Sequence, residues 1–246
     1  MKTAIIFLAL YFLIVTILYL FQERLIFFPD DRTCRELKSV EFQGETIRFI
    51  EKFHPGSSIT LIHFHGNAGG VCDRSFVLDY LKELPINIIL VEYPGYSADR
   101  PFPNLKRVKE NSLKVLRFFK NKGGPIFLYG ESLGSSVATY LASIEPVDGL
   151  LLQSPFPSLG EVGQNAYPIF PVKWLLKDDI STNKIIPKTL IFIAQEDEII
   201  SPKFSEKQIK IFENVKVFRF ENRNHNDLAI DNQKLWNEVI DFLGPK

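Results

Sequence analysis

Residues 125–134 read Pro-Ile-Phe-Leu-Tyr-Gly-Glu-Ser-Leu-Gly, and this stretch constrains the fold more than any other. The apolar run Ile126 to Tyr129 is too short for a helix and has the composition of a buried strand. Ser135 to Ile144 then reads as a helix. Between them lies Gly130-Glu131-Ser132-Leu133-Gly134, a G-x-S-x-G turn. Strand, turn and helix in that order are the context in which this spacing builds a nucleophile elbow. The turn is tight enough to strain the serine backbone. Gly130 and Gly134 flank it because a side chain at either place would strike the neighbouring strand or helix. Ser132 Oγ is thereby lifted clear of the sheet edge, close to the free N–H groups of the helix N-terminus.

The remaining patterns alternate between the two periodicities. Residues 46–53, 59–65, 87–91, 149–153, 189–194 and 215–220 have strand composition. Leu105, Val108, Ser112, Val115, Leu116 and Phe119 recur at helical spacing, which predicts one amphipathic helix over 104–120. Ser201-Pro202 opens a helix over about 203–213, with proline at its first position. Leu228, Leu235, Val239 and Phe242 give a last helix its apolar face. Alternating strands and helices predict an α/β fold, a mostly parallel sheet covered by helices on both faces. Sites in such sheets form at the carboxyl ends of the strands.

At 246 residues the chain is long enough for one large α/β domain. Lys plus Arg number 29 and Asp plus Glu number 29, so no concentrated basic field exists for nucleic acid. Cys34 and Cys72 cannot hold a metal alone. They could form one disulfide; the reading adopted is two free structural thiols. His63 and His65 lack zinc spacing with any third ligand, so no metal is expected, and no organic cofactor motif is present.

Residues 4–21 are apolar except for Thr16. At about 1.5 Å per residue they reach about 27 Å, close to the thickness of a bilayer core. No small-x-small cleavage site follows; the chain continues Phe21-Gln22-Glu23-Arg24. Residues 1–21 are therefore expected to be an uncleaved transmembrane anchor rather than a signal peptide, making this a single-pass membrane protein. Lys2 precedes the span, whereas Arg24, Arg32, Arg35 and Lys38 follow it. That bias favours a cytoplasmic catalytic domain, although large domains can translocate regardless of charge, and the side stays open. Residues 22–45, with the turn signal Pro29-Asp30-Asp31, are expected to be a linker leading into a domain over 46–246.

A serine hydroxyl needs a base, and in this arrangement the chain order is serine, acid, histidine. Of the histidines, only His225 follows Ser132; it sits in a polar loop between the last strand and the last helix. The acid should end an intervening strand. Asp197 follows 189–194 and is chosen to accept from His225 Nδ1; Glu196 and Glu198 are the alternatives. An oxyanion hole needs two backbone N–H groups. Leu133, after the nucleophile, supplies one, and Asn67 in His65-Gly66-Asn67-Ala68-Gly69-Gly70 supplies the other. His65 is expected to order its own loop by hydrogen bonds.

The chain resembles the α/β-hydrolase superfamily, and within it the membrane-anchored serine hydrolases of the bud-emergence (Bem-like) type. The matching stretches are Gln22 to Pro29, His65-Gly66-Asn67-Ala68-Gly69, Tyr93 to Ser97, the elbow, Ser154-Pro155-Phe156-Pro157-Ser158-Leu159, Glu196-Asp197-Glu198 and Asn224-His225-Asn226-Asp227. Tyr167-Pro168 to Trp174-Leu175-Leu176 resembles the group's short insertion. Two departures are Ile193-Ala194, where the group has His-Gly, and Asn222-Arg223-Asn224, where it is often glycine-rich. The resemblance implies an α/β-hydrolase fold and cleavage of esters or thioesters of acyl or lipid-like substrates. Residues 155–185, rich in proline and aromatics, stand where a short cap would cover Ser132. Tyr167, Phe170 and Trp174 are expected to line an acyl pocket there or to pack on the core. An oligopeptidase-like hydrolase and a membrane-anchored non-catalytic scaffold are the competing readings.

Overall fold

The computed structural model describes residues 1–182 and 184–244. Residue 183, inside the expected cap, and residues 245–246, at the end of the expected domain, lie outside the described residues. The first half of the chain runs α1 (Lys2–Ile26), β1 (Phe28–Pro29), β2 (Lys38–Phe42), β3 (Glu45–Lys52), β4 (Thr60–Phe64), β5 (Ala68–Gly69), a 3-10 turn, α2 (Phe76–Tyr80), β6 (Asn87–Glu92) and α3 (Leu105–Lys120). It continues with β7 (Ile126–Glu131), α4 (Leu133–Ile144), β8 (Gly149–Gln153), α5 (Leu159–Ala166), α6 (Val172–Leu175), β9 (Lys188–Ala194), α7 (Pro202–Gln208), a second 3-10 turn, β10 (Val215–Phe220) and α8 (Gln233–Leu243).

Eight strands form one sheet in the order β10-β9-β8-β7-β4-β6-β3-β2. Five neighbouring pairs, from β10 to β6, are parallel; only β2 and β3 run against their neighbours. The apolar strands serve both faces, as central parallel strands must. Ile62, Ile89, Val91, Leu128, Leu150 and Leu152 enter a core beneath α3 and α4. Their alternate neighbours Leu61, Ile88, Leu90, Tyr129 and Leu151 enter a second core with Trp236 and Val239 of α8. The expected helix over 104–120 is α3, capped by the Asn104 side chain accepting from the Arg107 N–H. The expected helix over 203–213 is α7, which ends at Gln208 and gives way to a 3-10 turn.

The stretch 22–45 is not a bare linker. It holds the end of α1, the edge strand β2 and the two-residue β1, which pairs in parallel with β5. That pairing lays the chain after α1 beside the loop after β4, and there Cys34 meets Cys72 in a disulfide, with Cα atoms 5.8 Å apart. The expectation of two free thiols is therefore corrected. Sequence spacing did not reveal that β1 and β5 bring the two segments together.

Trp236 holds the second face closed. It is fully buried, lies flat against Tyr80 at 4.6 Å and donates its indole N–H to Ala229 O at 2.8 Å. Replacing so large a buried ring leaves both a cavity and an unpaired carbonyl. Trp236→Ala is expected to lose about 3–5 kcal/mol of stability, read as a fall in the urea midpoint without a change in slope.

Candidate active site

The elbow sits between β7 and α4. Ser132 adopts φ 53° and ψ −117°, a left-handed backbone that costs a non-glycine residue about 1–3 kcal/mol. Its neighbours explain why the strain is held. A Cβ on Gly134 would lie 2.0 Å from Phe64 O on β4, and one on Gly130 would lie 2.2 Å from Gly134 O. Strand, turn and helix are packed backbone to backbone, and only glycine fits at either place.

Asp197 lies just beyond β9 and is 5% exposed. One carboxylate oxygen accepts from His225 Nδ1 at 2.7 Å and from Ser154 Oγ at 2.8 Å. The other accepts the backbone N–H of Ile199 at 3.0 Å and of Ile200 at 2.6 Å. Four donors fix the carboxylate and, through it, the imidazole. Glu196 and Glu198, the alternatives by sequence, make no hydrogen bond with His225 among the described residues. The loop carrying His225 is stapled in turn: Asn224 donates its backbone N–H and its side-chain amide to Asp227, at 2.8 and 3.0 Å. Asn222, where the chain enters this loop, takes φ 54°, a left-handed backbone that asparagine tolerates better than most residues.

Ser132 and His225 line one cleft, together with Asn226, Ser154 and Glu131. Among the described residues no hydrogen bond joins Ser132 Oγ to His225 Nε2. Ser132 also lines a second, apolar cavity of about 300 Å³, with Asn67 and Leu133 at the same end. Gly66 brings the Asn67 loop over the serine: a Cβ there would meet Ser132 Cβ at 3.6 Å. Leu133 opens α4, where backbone N–H groups have no intrahelical acceptor.

A layer of buried charge stands behind the site. His65 bridges Gly66 O at 2.7 Å and Glu92 Oε1 at 3.0 Å, so it does order its own loop. Glu92 also accepts from Ser97 Oγ and from the Val71 N–H at 3.2 Å. Burial alone would raise the Glu92 pKa; the hydrogen bonds from His65, Ser97 and Val71 outweigh it and hold the carboxyl below its ordinary range. Beside Ser132, Glu131 pairs with Arg74, and this pairing likewise outweighs burial to keep the Glu131 carboxyl below its usual range. His63 is fully enclosed, and burial pushes its pKa down to about 4, so it is neutral at ordinary pH.

Of the three residues expected to line an acyl pocket, the structure places Tyr167 in the apolar cavity. Phe170 instead stacks on Tyr11 of α1, ring centroids 5.7 Å apart, and Trp174 is 91% exposed. The reason for Phe170 is tertiary: α1 lies against this segment through Tyr11, and its Leu18, Leu25 and Ile26 line the cavity.

Comparison with known proteins adds the frame. No protein-family model matches the chain. A hydrolase from Pseudomonas aeruginosa superposes with a TM-score of 0.67 at 16% identity, covering 87% of this chain and 100% of that one. A Xanthomonas campestris structure described as an α/β serine hydrolase without lid gives 0.65 at 14%, covering 87% and 98%. The chain has the α/β-hydrolase fold. In sequence it is 27% identical over 216 residues to an uncharacterized protein of Mycobacterium tuberculosis, covering 80% of this chain and 77% of that protein. It is 28% identical over 187 residues to the lysophosphatidylserine lipase ABHD12 of Danio rerio, covering 66% of this chain. The chain spans about half the length of that lipase, 49%.

Within this α/β-hydrolase fold, sequence reasoning missed three contributors. Ser154 directly follows β8 at the carboxyl end of a parallel strand, which is where sites form and was the available signal. Arg74 partners Glu131 across the cleft, and nothing in its spacing foretells that. Gln22, a lone polar side chain after a long apolar run, marks where α1 meets the domain.

The His63 pKa lies below the ordinary 6.5, so the unfolded chain binds a proton that the folded one refuses between those values. Stability from this group is present above about pH 6.5 and is lost as pH falls toward 4. In His63→Gln, urea midpoints measured from pH 7 to 4 are expected to fall less steeply than in the wild type.

Proposed function

We propose that the chain is a serine hydrolase of the membrane-anchored Bem-like type, cleaving carboxylic esters or thioesters of acyl substrates. The observation that carries this reading is the strained Ser132 sharing a cleft with an imidazole whose Nδ1 is already held by a buried carboxylate. Ser132 Oγ attacks the acyl carbonyl while His225 Nε2 takes its proton. The N–H groups of Leu133 and Asn67 receive the developing oxyanion. His225 gives the proton to the leaving oxygen or sulfur, and an acyl-enzyme remains. Water, deprotonated by the same imidazole, then releases the acid and restores the serine. Asp197 keeps Nδ1 protonated and stabilises the imidazolium. The Ser132–His225 hydrogen bond that this step needs is one that forms or tightens in many such sites only with substrate bound.

Relatives that include a lysophosphatidylserine lipase, together with an apolar cavity reaching Ser132, favour an acyl or lipid-like substrate. In this reading α1 is a transmembrane anchor: its mean hydropathy over the best window is 2.8, with none of that window buried. The Cys34–Cys72 bridge favours the oxidising side of the membrane for the catalytic domain, against the bias of the flanking charges.

A fluorophosphonate probe is expected to label the wild type in membranes and to leave Ser132→Ala unlabelled. Absence of labelling in the wild type would return the non-catalytic scaffold to first place. His225→Ala should lower kcat/KM on p-nitrophenyl esters by several orders of magnitude, because members of such a triad act as a unit. In intact cells a membrane-impermeant maleimide should reach Cys34 and Cys72 only after reduction with an impermeant reductant; no reaction even after reduction would oppose this orientation, and reaction without reductant would oppose the disulfide.

A further inference from the structure

The apolar cavity at Ser132 has two unlike walls. One is expected from a cap: Phe156, Val162 and Leu176 among others. The other is the N-terminal helix, whose Leu18, Leu25 and Ile26 line the same space. A helix that merely tethered the domain would leave it there; this one is fixed in place. Gln22 is 8% exposed, donates to Leu175 O at 3.1 Å and accepts the Lys177 N–H at 2.8 Å. A salt bridge of 3.1 Å from Lys177 to Glu23 closes the same junction. At its end the helix is bolted to the loop over the serine. Asn67 donates its side-chain amide to Ile26 O at 2.8 Å, and Phe28 donates its N–H to Asn67 O at 2.9 Å.

We infer that the membrane helix is itself a wall of the acyl pocket, so that the acyl chain of a bilayer lipid lies along α1 with its carbonyl at Ser132. This rests on the ester-hydrolase reading above and extends it. The bond from Asn67 to Ile26 sets the near end of the chain, beside the proposed oxyanion donors. Leu18 sets the far end, on the other side of the kink at Phe21, where the backbone leaves helical geometry (φ −108°, ψ 15°). Beyond Leu18 the helix exposes Phe7, Phe12 and Leu13, apolar side chains suited to lipid. The polar cleft that Ser132 shares with His225, lined also by Asp73, Arg74 and Glu131, is left for the polar leaving group. An acyl chain can then slide from the bilayer along the anchor without crossing water, and the anchor works as a ruler.

The test uses the full chain in lipid nanodiscs, with p-nitrophenyl esters of acetate, butyrate, octanoate and dodecanoate. Leu25→Trp is expected to lower kcat/KM for octanoate and dodecanoate about tenfold or more while sparing acetate. Leu18→Trp should do so for dodecanoate alone. Ile17→Trp, on the same helix but outside the cavity, should change nothing. Equal effects of Leu18→Trp, Leu25→Trp and Ile17→Trp on every ester, or loss on acetate as severe as on dodecanoate, would overturn the inference. A second readout does not depend on turnover. In the Ser132→Ala background, a fluorescent polyene fatty acid should bind, and adding Leu25→Trp or Ala166→Trp, on opposite walls, should weaken binding about tenfold. Binding weakened by Ala166→Trp but untouched by Leu25→Trp would place the chain away from α1. If no ester is turned over yet this binding pattern holds, the hydrolase reading fails and the pocket stands.

Discussion

The backbone of Gly134 lies so close to the carbonyl of Phe64 that no side chain fits between them. From that contact the rest follows. It draws α4 down onto β4, it bends the chain at Ser132 into a conformation a serine does not choose, and it aims the first turn of α4 at the loop after β4. The stored strain is modest beside the two cores that enforce it, one on each face of the sheet. A serine held in this way is already ordered by its surroundings.

The loop facing that serine is held by buried polar groups as well as by the short pairing of β1 with β5. Glu92 collects hydrogen bonds from His65, Ser97 and Val71, and Tyr93 and Tyr96 donate their hydroxyls to His65 O and Asn67 O, at 2.9 and 2.7 Å. Such groups are costly to bury unless they are fully partnered, and here they are partnered with one another. The cost of desolvating Glu92 is offset by these donors, so the carboxyl stays charged and the loop keeps one shape. The same logic applies on the other side of the serine, where Ser154, Ile199, Ile200 and His225 together satisfy Asp197.

The N-terminal helix changes the meaning of the insertion after β8. A short cap rich in aromatics invites the view that its own rings close the pocket. Instead Phe170 is spent on Tyr11, Trp174 faces outward, and α1 supplies the missing side. The N-terminal helix and the cavity are joined through Gln22, a polar side chain whose partners are all backbone groups.

Much of this could be read from the chain alone, because local chemistry fixes it. The G-x-S-x-G spacing fits a tight strand–helix turn, the short continuous apolar runs fit strands buried on both faces, and chain order left His225 as the one histidine after the serine. Asp197 could be chosen over Glu196 and Glu198 only provisionally, since all three share one turn; the sheet decided by turning one carboxylate inward onto the imidazole. Three further features belonged to tertiary structure entirely. The Cys34–Cys72 pairing, the Arg74–Glu131 pair and the wall formed by Leu18, Leu25 and Ile26 each join segments far apart in sequence. Periodicity reports which face of an element is apolar, but not which distant element will cover it; that is settled only when strands find their neighbours and a helix end is tied to a loop.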